Sequence, residues 1–433
     1  MTEAMLEQLP LFSEALEARL EGLQEGPRLA AARAFAQRGL PGPKDEAWRQ
    51  TPLAGLLKRK WQLAPRPGRE AIAALSRQLA PWRKPECWEL VWVDGWWIPE
   101  LSSAEAPAGV AFRSLAGALE GSTWVEAGLA EQPFALLASA LFQDGARMEV
   151  SPHTVVERPI HLLFWTQAGP DRVVFPRFEL AVGEGAEVRV LETHASELSE
   201  PYWVLPITEV RVGARALLQH VRIQRETKSG FHLARMAFEL QRQATLASHS
   251  FAFGGELFRQ DIGARLLGEG SEATLNGLYL VEDRQHADTY MRVDHLAPHT
   301  TSHELYKGVL DGRARSVFSG RIHVHRGALK TDAKQTNRNL LLSREALAHS
   351  HPQLEIYADD VKCTHGSTVG QLDEEAVFYL RSRGIGLEAA QSLLTYAFAA
   401  EVVEQVGLEI ARRELQEFLF RWVPQGDVVR DAV

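Results

Sequence analysis

The chain has 433 residues, of which 45% are hydrophobic and 24% charged, with a net charge of −9 at pH 7. That is the composition of an ordinary globular protein long enough for two or three folded units. Acidic and basic residues are mixed throughout, so the basic stripe that nucleic acid demands is missing. Cys87 and Cys363 are the only cysteines, which excludes a disulfide framework and a thiolate-only metal cage within one copy. The best membrane candidate, Leu393 to Val403, is short and carries Glu401, so no span is expected. The start, Met1-Thr-Glu, is acidic and lacks a signal-type apolar region; the chain reads as cytoplasmic.

Three zones follow in order. In the first, to about residue 145, Leu6, Leu9, Leu16, Leu20 and Leu23, then Leu29, Ala32 and Phe35, predict two amphipathic helices separated near Gly26-Pro27. Pro41-Gly42-Pro43 stops the second. A hairpin strand is expected from Glu89 to Trp97. Eight of the eleven tryptophans lie between Trp48 and Trp124, which reads as the core of a small α/β cap in preference to an aromatic ligand site.

The second zone, about 146 to 371, loses helical periodicity. Short β-rich runs recur at Ile160 to Trp165, Ala186 to Leu191, Ala216 to Ile223, Met236 to Leu240, Leu275 to Val281 and Ser316 to Val324. The turns Gly185-Ala186, Gly213-Ala214, Gln243-Ala244, Gly270-Ser271 and Arg313-Ala314 can be superposed, at nearly constant intervals except for a longer last one. A small residue opening a strand at a repeated interval is the requirement of a β-solenoid, in which each coil buries its inner face only against its neighbours. A sandwich would need more Asn-Gly or Asp-Gly hairpins. The blade signatures of a propeller are not found either.

The third zone, 372–433, is helical again. Asp373 predicts an N-cap for Glu374 to Arg383, with Gly384 and Gly386 ending that helix. Leu387 to Gln405 and Ala411 to Trp422 read as two more. Their stripes, Leu393, Leu394, Ala397, Phe398 and Val402, then Phe418, Leu419 and Trp422, suggest a cap on the solenoid that doubles as a docking surface.

Nine of the fifteen histidines fall between His286 and His365. His295, His299 and His303 share strand parity, as do His323 with His325 and His349 with His351, so each set is expected on one side of a sheet. Such imidazoles either ligate iron or zinc or satisfy one another's hydrogen bonds. Cys363 and His365 are sharper: separated by one residue, they point the same way in a strand. A neighbouring imidazolium or Lys362 would lower the thiol pKa. Two ligands do not close a tetrahedral site, so the rest must come from elsewhere in the fold or from another chain. No Walker phosphate loop, no strand-borne G-x-G-x-x-G and no nucleophile elbow is present, and a carbohydrate-acting β-helix would display paired carboxylates.

The segments Ser302 to Val309, Ser316 to Arg321, Thr331 to Asn337, Asn339 to Ser343, Pro352 to Ile356, Asp360 to Gly370 and Phe378 to Ile385 resemble the SufB/SufD family of iron–sulfur cluster assembly proteins. Lys44 to Leu53, Asp144-Gly145 and Glu157 to Ile160 extend the resemblance over nearly the whole chain. The Lys-Cys-x-His-Gly form at 362 to 366, the shorter length and the scarcity of cysteine side with the SufD branch over the SufB branch. The resemblance implies a right-handed parallel β-helix between an N-terminal helical and mixed α/β region and a C-terminal helical domain. It implies a non-enzymatic scaffold that pairs with SufB through the β-helix and docks the SufC ATPase after Asp373, with Phe378, Tyr379, Leu380, Arg383 and Phe398 in the docking region. The nascent iron–sulfur cluster would be shared transiently with SufB, none being held by this chain alone. His365 is then the ligand candidate and Cys363 the accessory one, with His295, His299, His303, His323 and His325 as secondary metal candidates. Self-pairing of two copies near Cys363, with SufB-like function, is the alternative assembly.

Overall fold

A computed structural model of the chain describes residues 22, 26–42, 44–116 and 132–433. The first predicted helix (Leu6 to Leu23) and Trp124 lie outside them. The second appears as α1, Pro27–Arg38, with Leu29, Ala32 and Phe35 buried.

From Gly145 the chain winds through eight coils, each contributing one strand to each of two parallel sheets. The coils pair Gly145–Val150 with Ile160–Thr166, Arg177–Val182 with Glu187–Ser196, Ile207–Val212 with Leu217–Arg225, and Gly230–Leu240 with Thr245–Ala252. The later four pair Leu257–Leu266 with Glu272–Val281, His286–His295 with Thr301–Leu310, Arg315–Val324 with Asp332–Leu341, and Leu347–Ile356 with Lys362–Gly370. Every coil-to-coil pairing is parallel. The repeat is not constant: the step from Phe231 to its partner Leu257 is shorter than the step from Ile322 to Leu354. The β-helix expected from the repeated turns is therefore present.

The corner between the two sheets explains the repeat. Ala186, Ala216, Ala244, Ser271, Thr300 and Thr331 stack there, each immediately before the second-sheet strand. Each follows a residue with positive φ: Gly185, Arg215, Gln243, Gly270, His299 and Lys330. A left-handed residue reverses the chain and a small one fits inside the bend. This corrects the superposed turns. Gly213-Ala214 lies just ahead of the true corner, Arg215-Ala216. Arg313-Ala314 belongs to the opposite corner, so the long interval before it is one coil and a half.

Alternate strand residues point inward and form one apolar column set, including Val188, Leu218, Leu246, Met236, Phe238, Ile262, Met291 and Phe318. Each such side chain contributes about 1.5–3 kcal/mol on burial. The interior also encloses a polar belt in the second to fourth coils. His194 bonds Glu192 at 2.6 Å, His220 approaches Glu192 at 3.3 Å, His232 bonds Glu226 at 2.8 Å, and Arg222 contacts His232 at 3.0 Å. Burial, then the Arg222 charge, lower the His194 pKa to about 4, so its imidazole is neutral.

The two ends differ. At the start, Trp88–Val93 pairs parallel with Ile160–Thr166 and antiparallel with Trp96–Trp97, and Val110–Ser114 pairs antiparallel with Gly145–Val150. The predicted Trp-rich hairpin thus covers the opening edge. The described N-terminal helices are α1, α2 (Ala54–Leu57), α3 (Arg69–Gln78) and α4 (Pro133–Leu141); Leu75 of α3 packs with Val91 and Val93 of the hairpin, whereas α1 and α4 share a core with Trp203, Leu233 and Leu257 on the outside of the first sheet. At the other end, Leu347–Ile356 and Lys362–Gly370 each pair on one side only among the described residues.

The C-terminal helices, expected as a cap on the solenoid, lie along its side instead. They are α5 (Glu374–Ser382), α6 (Leu387–Val403), α7 (Glu409–Trp422) and α8 (Gly426–Ala432). Leu415, Leu419, Val402, Val403 and Tyr396 pack against Val221, Ile223, Leu278, Leu280 and Val309 on the outer face of the second sheet. In α6 the buried face is Ala390, Ser392, Thr395, Tyr396, Ala399, Ala400, Val402 and Val403, which shares only Val402 with the predicted stripe: Leu393, Leu394 and Phe398 are half-buried and Ala397 is exposed. The helix is apolar nearly all round, so its periodicity selects no face. Among the described residues, no helix is long and apolar enough to cross a membrane.

Candidate functional site

The last strand, Lys362–Gly370, pairs with Asp332–Leu341 and places Cys363 beside Ala333 and His365 beside Gln335. Ala333, Gln335, Asn337 and Asn339 are the buried, inward residues of their strand. Cys363, His365, Ser367 and Val369 therefore share the inward parity, but among the described residues no ninth coil covers them. Cys363 is half-buried and His365 is exposed. The sequence expectation that these two side chains face one way agrees with this pairing.

Beneath His365 the same inward column continues through Gln335 to Glu304. Glu304 is fully enclosed; burial pushes its pKa up to about 8, and Ser302 and Gln335 offset only part of that. The acid is protonated at neutral pH. Beside it, Tyr279 donates to Asn339 Oδ1 at 2.6 Å and Asn339 donates to Asn337 Oδ1 at 2.8 Å. The solenoid interior is thus polar again as it reaches the open coil, as it is in the belt of the second to fourth coils.

The expected activation of the thiol is not found. Burial, followed by the nearby Asp332 carboxylate, raises the Cys363 pKa, with Glu304 adding to the effect and a hydrogen bond from the Ala333 backbone opposing it. The cause is parity: Lys362 points to the opposite side of the strand, so its ammonium does not face the sulfur. As the free chain stands, Cys363 is a thiol.

The set His295, His299 and His303 does not come together. His295 ends a first-sheet strand, is fully buried, and bonds Thr300 at 2.8 Å and Ser302 at 3.0 Å; burial lowers its pKa to about 4. His299 is the left-handed corner residue with φ 58°, and His303 lies exposed on the outer face of the second sheet. Even offsets mislead there because the chain turns a corner between them. His323 and His325 do meet, with ring centroids 4.0 Å apart, and Asp294 joins them from the neighbouring coil. Asp294 was missed because it lies a whole coil upstream; only a known coil length would have found it. His349 and His351 share the outer face of the last coil, where His351 bonds Gln50 at 2.9 Å.

The C-terminal candidates separate into two groups. The Asp373 side chain accepts from Glu375 N at 2.9 Å and caps α5. No α5 residue is buried; Phe378 is 73% exposed and Tyr379 55%. Arg383 stacks on the Tyr379 ring at 4.5 Å, and Leu380 is half-buried. Phe398, in contrast, is tied to the solenoid, since Lys307 Nζ donates to its carbonyl at 2.8 Å and lies 4.2 Å from its ring.

These features define a class: a parallel β-solenoid flanked by helical regions, covered at one end, with a thiol and an imidazole on the open coil. Residues 164–398 match the family described as SUF system FeS cluster assembly, SufBD core domain. The chain is 33% identical over 432 residues to the iron–sulfur cluster assembly protein SufD of Escherichia coli, covering 96% of this chain and 99% of that one. It is 31% identical to an iron–sulfur cluster assembly SufBD family protein of Synechocystis, covering 90% and 89%, and 26% identical to SufD of Bacillus subtilis over 68% and 67%. The chain belongs to the SufB/SufD family of the SUF iron–sulfur cluster assembly system, on its SufD side.

Proposed function

We propose that this chain is the non-enzymatic SufD-type scaffold of a SufB–SufD pair, with His365 as a cluster ligand and Cys363 as an accessory one at the partner interface. The observation that carries the reading is the open eighth coil, which presents a free strand edge and an incomplete ligand set together. A partner strand added to that edge would bring the missing thiolate, and its departure would release the cluster. A transient, shared cluster is consistent with two donors, which are too few to hold a metal centre closed. We divide the chain at about 145 and 371–372, a reading supported by the coil strands that start at Gly145 and end at Gly370 and by the helix that starts at Glu374. The exposed α5 ring pair is the proposed contact for the SufC ATPase, to which ATP hydrolysis belongs. A cytoplasmic location accompanies that role. When SufB is missing, the same edge favours pairing between two copies of this chain.

The deciding experiment is co-expression with SufB and SufC, followed by anaerobic cluster reconstitution. His365→Ala is expected to leave the complex assembled while iron and sulfide incorporation falls at least fivefold, and Cys363→Ser to have a smaller effect. Normal cluster formation by the His365→Ala complex would make His365 a bystander.

A further inference from the structure

On the outward face of the first sheet one column of side chains takes a residue from each of the last six coils: Arg211, Glu239, Arg265, Asp294, His323 and Glu355. Neighbouring strands lie about 4.8 Å apart, so successive members touch. In the early coils the alternating charges satisfy each other, with Arg211 at 3.4 Å and Arg265 at 2.8 Å from Glu239. Near the end the pattern changes. His323 stands between two carboxylates where an arginine would continue the alternation, and His325 returns from the end of the same strand toward Asp294.

The donor atoms of Asp294, His323 and His325 all lie within 4.8 Å of one another. His323 Nδ1 is 3.1 Å and His325 Nε2 3.2 Å from the same oxygen, Asp294 Oδ1. His323 Nδ1 is buried without a hydrogen bond, and the Tyr357 ring packs edge-on against that imidazole at 5.4 Å. Asp294 and His325 line a cavity of about 310 Å³ that opens to solvent. Arg292 holds Asp294 in place with contacts of 2.9 and 3.0 Å. Glu355 is engaged only loosely, 3.5 Å from Arg321.

We propose that Asp294, His323 and His325 form a site for a divalent first-row transition ion, with Glu355 within a side-chain rotation of serving as a fourth donor. Two imidazoles and a carboxylate on one side of the ion are the donor set that Fe²⁺ and Zn²⁺ accept, with the remaining positions left to water. Arg292 acts from behind the carboxylate, as an orienting partner does. Its positive charge opposes a second cation nearby, so the site is an exchangeable one. The site lies on the outer face of the sixth and seventh coils and does not depend on the His365 reading.

The test uses the untagged full-length chain and Co²⁺ alone as the probe, with equilibrium dialysis and visible d–d absorption. One Co²⁺ per chain is expected, weakened at least tenfold by His323→Gln, by His325→Gln and by Asp294→Asn, and unchanged by His365→Ala. His325 is partly exposed, so its substitution tests the site without disturbing the core, and far-UV circular dichroism checks each variant. No Co²⁺ bound by the wild type would overturn the proposal, as would binding that survives both histidine substitutions. Loss of Co²⁺ in His365→Ala alone would do the same while leaving the terminal-coil reading intact. A normal cluster in that variant would defeat the terminal-coil reading and leave this site untouched.

Discussion

At the level of single residues, Cys363 on the open coil and Glu304 two coils beneath it have chemistry that runs against simple expectation. Cys363 keeps its proton because burial and Asp332 penalise the thiolate. Its alkylation by iodoacetamide is expected to follow a pH curve displaced above that of a free cysteine peptide. A curve at or below the peptide's would show that the sulfur meets a cation the fold does not place there. Glu304 is the second case. Its native pKa of about 8 lies above the ordinary 4.5, so the unfolded chain ionises first as pH rises. Stability therefore falls between about pH 4.5 and pH 8, and the loss is complete above that window. Glu304→Gln keeps the shape without the charge, so at pH 8 it is expected to stabilise the chain by about 1–3 kcal/mol. That gain should vanish near pH 4.5. Thermal melts of both forms at pH 5 and pH 8 measure the difference, and equal gains at both pH values would contradict it. The spacing of Cys363 and His365 was legible because parity within one strand is a local property. Glu304 and Asp294 were not, since each matters through neighbours a whole coil away.

At the level of elements, the C-terminal helices have two jobs that the sequence merged. Helices α6 and α7 cover the apolar outer face of the second sheet, where Leu415 and Leu419 are fully buried. Helix α5 buries none of its own residues and displays Phe378 and Tyr379. Deleting 373–433 would therefore uncover Val221, Ile223 and Leu278 and unfold or aggregate the chain, whatever its effect on a partner. The informative variant is Phe378→Ser with Tyr379→Ser. It is expected to change stability by less than about 0.5 kcal/mol, as exposed positions do, while abolishing co-purification with SufC. Retained SufC binding would move the contact off α5. Leu419→Ala should instead cost about 2–5 kcal/mol by leaving a cavity, read as a lower urea midpoint.

For the molecule as a whole, the asymmetry of the solenoid decides what it offers to others. The opening edges are covered by the Trp-rich hairpin and by Val110–Ser114, and among the described residues no strand covers the last ones. Lys362 N donates to Thr331 O at 2.8 Å, and donors alternate along a parallel strand, so the N–H groups of His365, Ser367 and Val369 point out of the sheet edge. Ser367→Pro removes one of these outward donors without breaking a ladder bond, a position where proline is tolerated. It is expected to leave the chain folded while lowering the affinity of edge pairing at least tenfold, measured by analytical ultracentrifugation of the pair. Unchanged association would show that the partner does not add a strand there.

Short-range rules account for everything that could be read from the residues alone. These are the strand parity around Cys363 and His365, the Asp373 cap, the Trp-rich hairpin, and a coiled architecture announced by small residues at nearly constant spacing. Motif resemblance carried the family as well. Which corner each turn occupies had to wait for the folded chain, because the two corners use similar residues half a coil apart. So did the small-residue face that α6 buries, since a helix apolar on all sides has no preferred orientation until a sheet is laid against it. Stacking alone could bring Asp294 to His323, and only the corner at His299 separates His295 from His303. In a solenoid the nearest neighbours of a side chain are a coil away, and the coil length changes along the chain, from the short step between Phe231 and Leu257 to the long one between Ile322 and Leu354. No local pattern encodes that variation.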